Sequence, residues 1–262
     1  MNVLGQHDFI ALLAHWLFPF LRVGGLVLTS PVIGTRVVPT KVRLVLALAV
    51  SLAIIPLLPV VELPRMFSFQ TLVIGAQQLA IGMLIGLVLR LTFVVVEFAG
   101  QVIAQQMGLG FASLVDPQTG LQVPVLSQFY ITLATLLFLA FDGHLVMIAV
   151  LAESFVALPI GELGVTGIAL GMVLEWTSAL FSGALAVALP PIVALLIVNI
   201  AFGVVTRAAP QLNIFAIGFP IIILFGVFVC YLTLDGLSLH MKMQFDMAFQ
   251  LIRNIFLEVG NG

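Results

Sequence analysis

The sequence predicts an all-α membrane protein of long, kinked helices arranged as helical hairpins. Composition is the first reason. Of 262 residues, 62% are hydrophobic and only 8% are charged, with a mean hydropathy of +1.29. A soluble domain is about 25% charged and 45–50% apolar, so this chain has too few charges to cover a water-facing surface. The second reason is distribution. The apolar residues gather in about six stretches that meet or exceed the roughly 20 residues a bilayer-crossing helix requires.

The stretches run from Phe9 to Ser30, Val42 to Val60, Phe69 to Met107, Val123 to Leu158, Val165 to Thr206 and Leu212 to Leu239. Pro31, Pro39, Pro64, Pro117, Pro159 and Pro210 lie between them or at their ends, where helix breakers belong. The third stretch is longer than one crossing needs. It contains "IGMLIG", whose Gly82 and Gly86 are spaced for close helix packing in lipid. In the fourth, "FDGHL" at Asp142 marks a possible break. In the fifth, "ALPPIV" places Pro190 and Pro191 mid-stretch, which either kinks one helix or joins two shorter elements. The tail from Met241 to Glu258 changes character. Phe245, Phe249, Ile252 and Phe256 recur at helical spacing while Lys242, Asp246 and Arg253 take other faces, giving an amphipathic helix that either lies on a membrane or docks a partner.

A net charge of −2 excludes nucleic-acid binding through a basic face. The single cysteine, Cys230 in "VFVCYL", reads as a small buried hydrophobe. The opening "MNVLGQHDFIALLAHW" lacks the basic start of a secretion signal, so the N-terminus is expected to stay in the fold. Basic residues do not fix an orientation. Arg65, Lys242 and Arg253 fall on one side, against Arg36, Lys41, Arg43 and Arg207 on the other, with Arg90 near its edge.

Ionisable residues within the apolar runs are Arg22, Arg90, Glu97, Asp142, His144, Glu153 and Glu175. Such groups are costly in lipid and face a protein interior or a cavity. Either each is paired or snorkels from a span end, or Asp142, Glu153 and Glu175 serve a proton-coupled transporter. Glu97, Gln101 and Gln105 form an i, i+4, i+8 line that runs into Gln106. That line is either a wet face ending near a cavity or a source of interhelical hydrogen bonds. No catalytic constellation is present. "GLG" follows a helical run and lacks the third glycine of a dinucleotide site, and no phosphate-binding lysine motif or nucleophile elbow occurs. His7, His15, His144 and His240 are isolated, so no enzyme activity, metal or cofactor is expected.

Three segments then identify a family. "EFAGQVIAQQMGLGFASLVDPQTG" (Glu97–Gly120), "FLAFDGHLVMI" (Phe138–Ile148) and "RAAPQLNIFAIGFP" (Arg207–Pro220) resemble the FliR family of the flagellar type III export gate. "RVGGLVLTSPVIGTRVVPTKVRLVLAL", from Arg22 to Leu48, fits as well, and the resemblance covers essentially the whole chain in order. It implies a single membrane-embedded unit over 1–262, with a FliP-like portion over 1–164 and a FliQ-like helical hairpin over 165–240. A C-terminal amphipathic helix over 241–262 follows. It implies a place in the bacterial inner membrane at the flagellar basal body. One copy would complete a ring with FliP and FliQ, FlhB would wrap around it, and FlhA would supply the neighbouring proton-driven machinery. Unfolded flagellar subunits would pass through, with membrane lipid surrounding the assembly. Because the family assembly is lifted largely out of the bilayer plane, an uninformative basic-residue count is expected.

The resemblance also implies a channel plug in the loop over 106–123, comprising Met107, Gly108, Leu109, Gly110, Phe111, Ala112, Ser113, Leu114, Val115, Asp116, Pro117 and Gly120. Its composition suits that role, since glycines give backbone freedom, Phe111, Leu114 and Val115 can pack in an apolar constriction, and charge is sparse. Glu97, Gln101, Gln105 and Gln106 would face the lumen, and Arg207, Pro210, Gln211 and Asn213 would form the hairpin turn. An injectisome homologue of the same architecture and a stand-alone transporter are the alternatives.

Overall fold

The structure is a computed structural model, and it describes residues 3–35, 37–58, 68–109, 125–161, 167–209 and 214–260, with the backbone alone at 3–14 and 214–217. Eight α-helices and one short 3-10 turn form among the described residues, with no strand: an all-α membrane protein. In chain order they are α1 (Val3–Thr29), α2 (Thr40–Ile54, continued by the 3-10 turn Ile55–Leu57), α3 (Phe69–Gln106) and α4 (Val125–Ala140). Then follow α5 (Gly143–Ala157), α6 (Gly167–Ala208), α7 (Ile214–Leu232) and α8 (Leu234–Gly260).

Three described segments are long and apolar enough to cross a membrane alone: Thr40–Leu57, α3 and α6. The bent pairs α4–α5 and α7–α8 each supply one more if taken as a single crossing. With 38 and 42 residues, α3 and α6 reach about 57 and 63 Å at about 1.5 Å per residue, roughly twice a bilayer's apolar thickness. The break in the fourth apolar stretch falls at Asp142, as "FDGHL" suggests. Asp142 adopts a left-handed backbone (φ 56°), a conformation that a short polar side chain tolerates, and Gly143 then opens α5. In the fifth stretch Pro190 and Pro191 lie within one continuous α6, so the alternative of two separate elements does not form. The sixth bends at Thr233, whose Oγ1 donates back to the Val229 and Cys230 carbonyls at 3.1 and 3.0 Å. Such back-bonding bends helices. The amphipathic helix therefore starts at Leu234, seven residues before the change in sequence character at Met241. Its pattern is as read: Phe245, Phe249, Ile252 and Phe256 are buried, while Lys242, Asp246 and Arg253 are exposed.

The chain divides into two compact units. Unit 1 comprises Met1–Leu91, Asp142–Thr177 and Asp246–Gly262, and unit 2 comprises Thr92–Phe141 and Ser178–Phe245.

In unit 1 the backbones of α1 and α3 meet. A Cβ at Gly82 would strike the Arg22 carbonyl oxygen, one at Gly25 the Leu79 carbonyl oxygen, and one at Gly86 the Thr29 hydroxyl. The glycine spacing of "IGMLIG" is thus realised as a close helix crossing. The Thr29 hydroxyl reinforces it with hydrogen bonds to the Gly25 carbonyl (3.0 Å) and, across the helix pair, the Met83 carbonyl (3.1 Å).

Beside this crossing Arg22 is fully buried. Its Nε donates to Gln78 Oε1 at 2.8 Å, and Nη1 donates to the Ser154 carbonyl at 2.7 Å and to Ser154 Oγ at 3.1 Å. Nη2 donates to the Leu158 carbonyl at 2.8 Å. The guanidinium also lies 4.1 Å from the centre of the Phe155 ring. Every one of these partners is neutral. The two carbonyls belong to the end of α5, where unsatisfied C=O groups carry partial negative charge, so the cation serves as a helix cap. At the surface, Arg253 Nε and Nη2 bond both carboxylate oxygens of Glu153, at 2.8 and 3.2 Å. Two of the ionisable groups in apolar runs are therefore paired, one by a charge and one by a helix end.

Two measurements test this packing. Gly25→Ala and Gly82→Ala each force a methyl into facing backbone and should cost about 1–3 kcal/mol in thermal unfolding of the detergent-solubilised chain. Gly24→Ala should be neutral, since a Cβ there meets nothing within 4 Å. Arg22→Met leaves the Ser154 and Leu158 carbonyls and the Gln78 amide without their partner. It should cost at least about 3 kcal/mol by the same measurement. Wild-type stability in Arg22→Met would contradict the capping role.

Candidate functional site

The second half of α3 threads unit 2 and is fixed by contacts with α4, α6 and α8. At its start Phe93 meets Phe138 of α4 and Phe245 of α8 at centroid distances of 5.7 and 5.6 Å, and those two meet at 5.2 Å. All three rings are buried, and the spacings are those of favourable edge and offset pairs. One turn on, Phe98 stands edge-on to Phe181 of α6 at 5.8 Å. At Gly100 a Cβ would lie 2.9 Å from Ser127 Cα, so the backbones of α3 and α4 touch. Elsewhere in the unit, Gly183 of α6 makes room for the Gln244 amide of α8, whose nitrogen lies 3.3 Å from His240 Nε2. Cys230 is a buried free thiol, as its context suggests.

The end of α3 is built with particular care. The Gly108 N–H donates to the Gln105 carbonyl and the Leu109 N–H to the Ala104 carbonyl, both at 3.0 Å, with Gly108 left-handed at φ 78°. This is a glycine C-cap of Schellman type. Gly108 thus stops the helix in a fixed conformation rather than serving as a free joint. The Gln106 carbonyl, one of the last that the helix cannot satisfy, accepts from Asn199 Nδ2 of α6 at 3.3 Å. Met107 is 1% exposed. Its side chain lies over Gly226 of α7, where a Cβ would come within 2.6 to 2.8 Å of Met107 Cε, Cγ and Sδ. A flexible thioether fills the place of the missing side chain.

Along α3, Gln101 and Gln105 are exposed, and Glu97 and Gln106 are half-buried. The side chains of Glu97, Gln101 and Gln105 bond to no other described residue, so the line of polar groups forms an open stripe leading to the capped end. Leu109 is half-buried. Gly110, Phe111, Ala112, Ser113, Leu114, Val115, Asp116, Pro117 and Gly120 lie outside the described residues, as do Pro210, Gln211 and Asn213. Arg207 is exposed in the last turn of α6, where a cation favours the helix dipole.

The three acids of the transporter alternative are not assembled into a site. Asp142 is exposed at the α4–α5 break, Glu175 is exposed on α6, and Glu153 is held by Arg253. No group of three His, Cys, Asp or Glu side chains suited to a metal forms among the described residues.

Asn199 and Gly226 are the structural residues of this site that sequence patterns do not single out. Asn199 carries one signal, as the lone amide in the apolar run from Gly183 to Val205. Gly226 carries none, because its partner is distant in the chain.

The Met107–Gly226 seat is testable by thiol labelling in a Cys230→Ala background. Met107→Cys should react slowly with a maleimide. Adding Gly226→Val should raise the rate at least about tenfold, since the bulkier residue evicts position 107. Equal rates in the two backgrounds would show that position 107 is not seated there.

Comparison with known proteins bears on the whole chain. The family described as "Bacterial export proteins, family 1" matches residues 13–248. The flagellar biosynthetic protein FliR of Escherichia coli K12 is 38% identical over 244 residues, 93% of both chains. FliR of Pectobacterium carotovorum is 35% identical over 261 residues, 100% of both. FliR of Aquifex aeolicus is 31% identical over 234 residues, 89% of this chain and 90% of the relative. The residues quoted for the resemblance lie within a match that spans nearly every helix, and the chain belongs to bacterial export protein family 1, with the FliR proteins.

Proposed function

We propose that the chain is a non-enzymatic component of the flagellar protein-export gate in the bacterial inner membrane, at the basal body. One copy closes a ring with FliP and FliQ, FlhB embraces the ring, and FlhA stands beside it. Unfolded flagellar subunits pass through, and the segment following α3 plugs the passage between export events. On this reading residues 1–164 are the FliP-like portion, and α6 and α7 are the arms of the FliQ-like hairpin, with Arg207, Pro210, Gln211 and Asn213 at its turn.

The observation that carries the reading is the end of α3. A plug must be able to leave the passage while its root stays put. Here the root is capped by Gly108, bonded by Asn199 and seated by Met107 on Gly226, and beyond it runs a glycine-rich sequence with one charge, Asp116. An apolar plug resists ions by dewetting, and sparse charge in its sequence suits displacement by a polypeptide. The exposed stripe of Gln101 and Gln105 suits a wet lumen wall. Assembly with partners is supported by α6, where only 17% of the apolar crossing window is buried within the chain. A surface that apolar needs lipid or protein against it. All the relatives cited are named flagellar proteins, which favours a flagellar gate over an injectisome homologue. The scattering of Asp142, Glu153 and Glu175 counts against a stand-alone transporter.

Deleting Gly110–Gly120 removes the plug yet leaves the capped, seated end of α3 in place. Reconstituted gate complexes carrying the deletion should assemble normally and conduct ions, where intact complexes do not. Unchanged conductance would remove the plug from the account.

A further inference from the structure

Unit 1 contains a cavity of about 270 Å³ between α1, α2 and α3 that the export reading does not use. Its walls are apolar, including Leu21 and Val27 of α1, Leu44 of α2 and Leu79 of α3. Gly24 lies in the α1 wall, and a Cβ there would meet nothing within 4 Å, so the space extends to the bare backbone. Water gains nothing in such a site, having no polar partners along these walls, and an unfilled apolar space loses dispersion contacts on every side.

One end of the cavity is different. Thr40 and Arg43, in the first turns of α2, join the lining there. The Arg43 Nε donates to the Val38 carbonyl at 3.0 Å and Nη2 donates to the Thr35 carbonyl, which hold the guanidinium at the rim. Its Nη1 has no partner among the described residues. Lys41, two residues away, is exposed. The surrounding sequence offers no acid: none occurs from Phe9 to Val61. Neither Lys41 nor Arg43 pairs with a carboxylate among the described residues. One cation, Arg43, therefore stands at the mouth of an apolar slot at the start of a membrane-crossing helix, with no carboxylate partner among the described residues.

We propose that this slot binds an anionic phospholipid, with an acyl chain between α1 and α2 and the phosphate against Arg43. Basic pockets between membrane helices bind anionic head groups, and a guanidinium matches phosphate oxygens in geometry as well as charge. A free phosphate would satisfy the rim but leave the apolar space empty. A zwitterionic lipid would fill the space but bring no net charge to Arg43. Only an anionic amphiphile meets both ends. The inference rests on unit 1 alone and stands whether or not the segment after α3 is a plug.

Native mass spectrometry of the purified full-length chain, delipidated in mild detergent, tests it. The chain is titrated with phosphatidylglycerol, with phosphatidylcholine of the same acyl chains, and with glycerol phosphate, which has none. Phosphatidylglycerol should bind at least about fivefold tighter than phosphatidylcholine, the selectivity of a single added cation at a membrane surface. Glycerol phosphate should not be retained. Gly24→Leu, whose Cβ meets nothing within 4 Å and whose side chain adds bulk at the slot's wall, should weaken both lipids, and Arg43→Gln should bring phosphatidylglycerol down to phosphatidylcholine. Equal affinity of the wild-type chain for the two lipids overturns the proposal, a comparison that requires no variant to fold. Glycerol phosphate bound as tightly as phosphatidylglycerol, or Gly24→Leu with undiminished lipid binding, overturns it equally.

Discussion

A chain this apolar must satisfy its own backbone wherever a helix stops, because hydrocarbon offers no hydrogen bonds. That constraint explains the placement of several polar residues in the structure. The end of α5 would leave carbonyls bare, and Arg22 of α1 caps them from across unit 1. The end of α3 is closed by Gly108, and the Gln106 carbonyl is taken up by Asn199. At the bend between α7 and α8, Thr233 supplies hydroxyl bonds to the Val229 and Cys230 carbonyls. Among the described residues, helix breaks thus account for the placement of Arg22, Asn199 and Thr233.

The same constraint shapes what the chain can do. Satisfied breaks let α3 and α6 run far longer than a bilayer crossing and let the other crossings bend, so the chain need not be a simple bundle of upright spans. Close backbone approach at Gly25, Gly82 and Gly86 locks unit 1, and the Phe93–Phe138–Phe245 cluster locks unit 2. A rigid frame of this kind suits a part whose work is geometric. The glycine cap at Gly108 ends α3 by its own hydrogen bonds, so the helix does not depend on the sequence that follows it. The large apolar exposure of α6 leaves a surface for neighbours.

Much of the fold was legible because hydropathy reports membrane crossings directly. The third stretch, read as Phe69 to Met107, forms α3 over Phe69–Gln106. The break at Asp142 was visible because glycine follows the aspartate in "FDGHL". The bend at Thr233 was not, because "YLTLDG" holds no proline and a threonine is compatible with an unbroken helix. The α6 prolines allowed two outcomes, and the continuous helix formed. The partners of Arg22 were beyond reach, since Ser154 and Leu158 lie 132 and 136 residues away. Gly108 shows how local reading errs in kind. Glycine in a glycine-rich segment suggests freedom, yet its left-handed φ here is a stop signal. The family was legible from the quoted segments, while the plug residues from Gly110 onward rest on that resemblance and on composition.

The central claim is that this chain works as one member of a ring. Native mass spectrometry of the tagged chain, extracted after co-expression with FliP and FliQ, tests it most directly. A discrete hetero-oligomer containing one copy of this chain is the predicted result. A lone monomer or homodimer, with neither partner retained, would contradict the account and return attention to Asp142, Glu153 and Glu175.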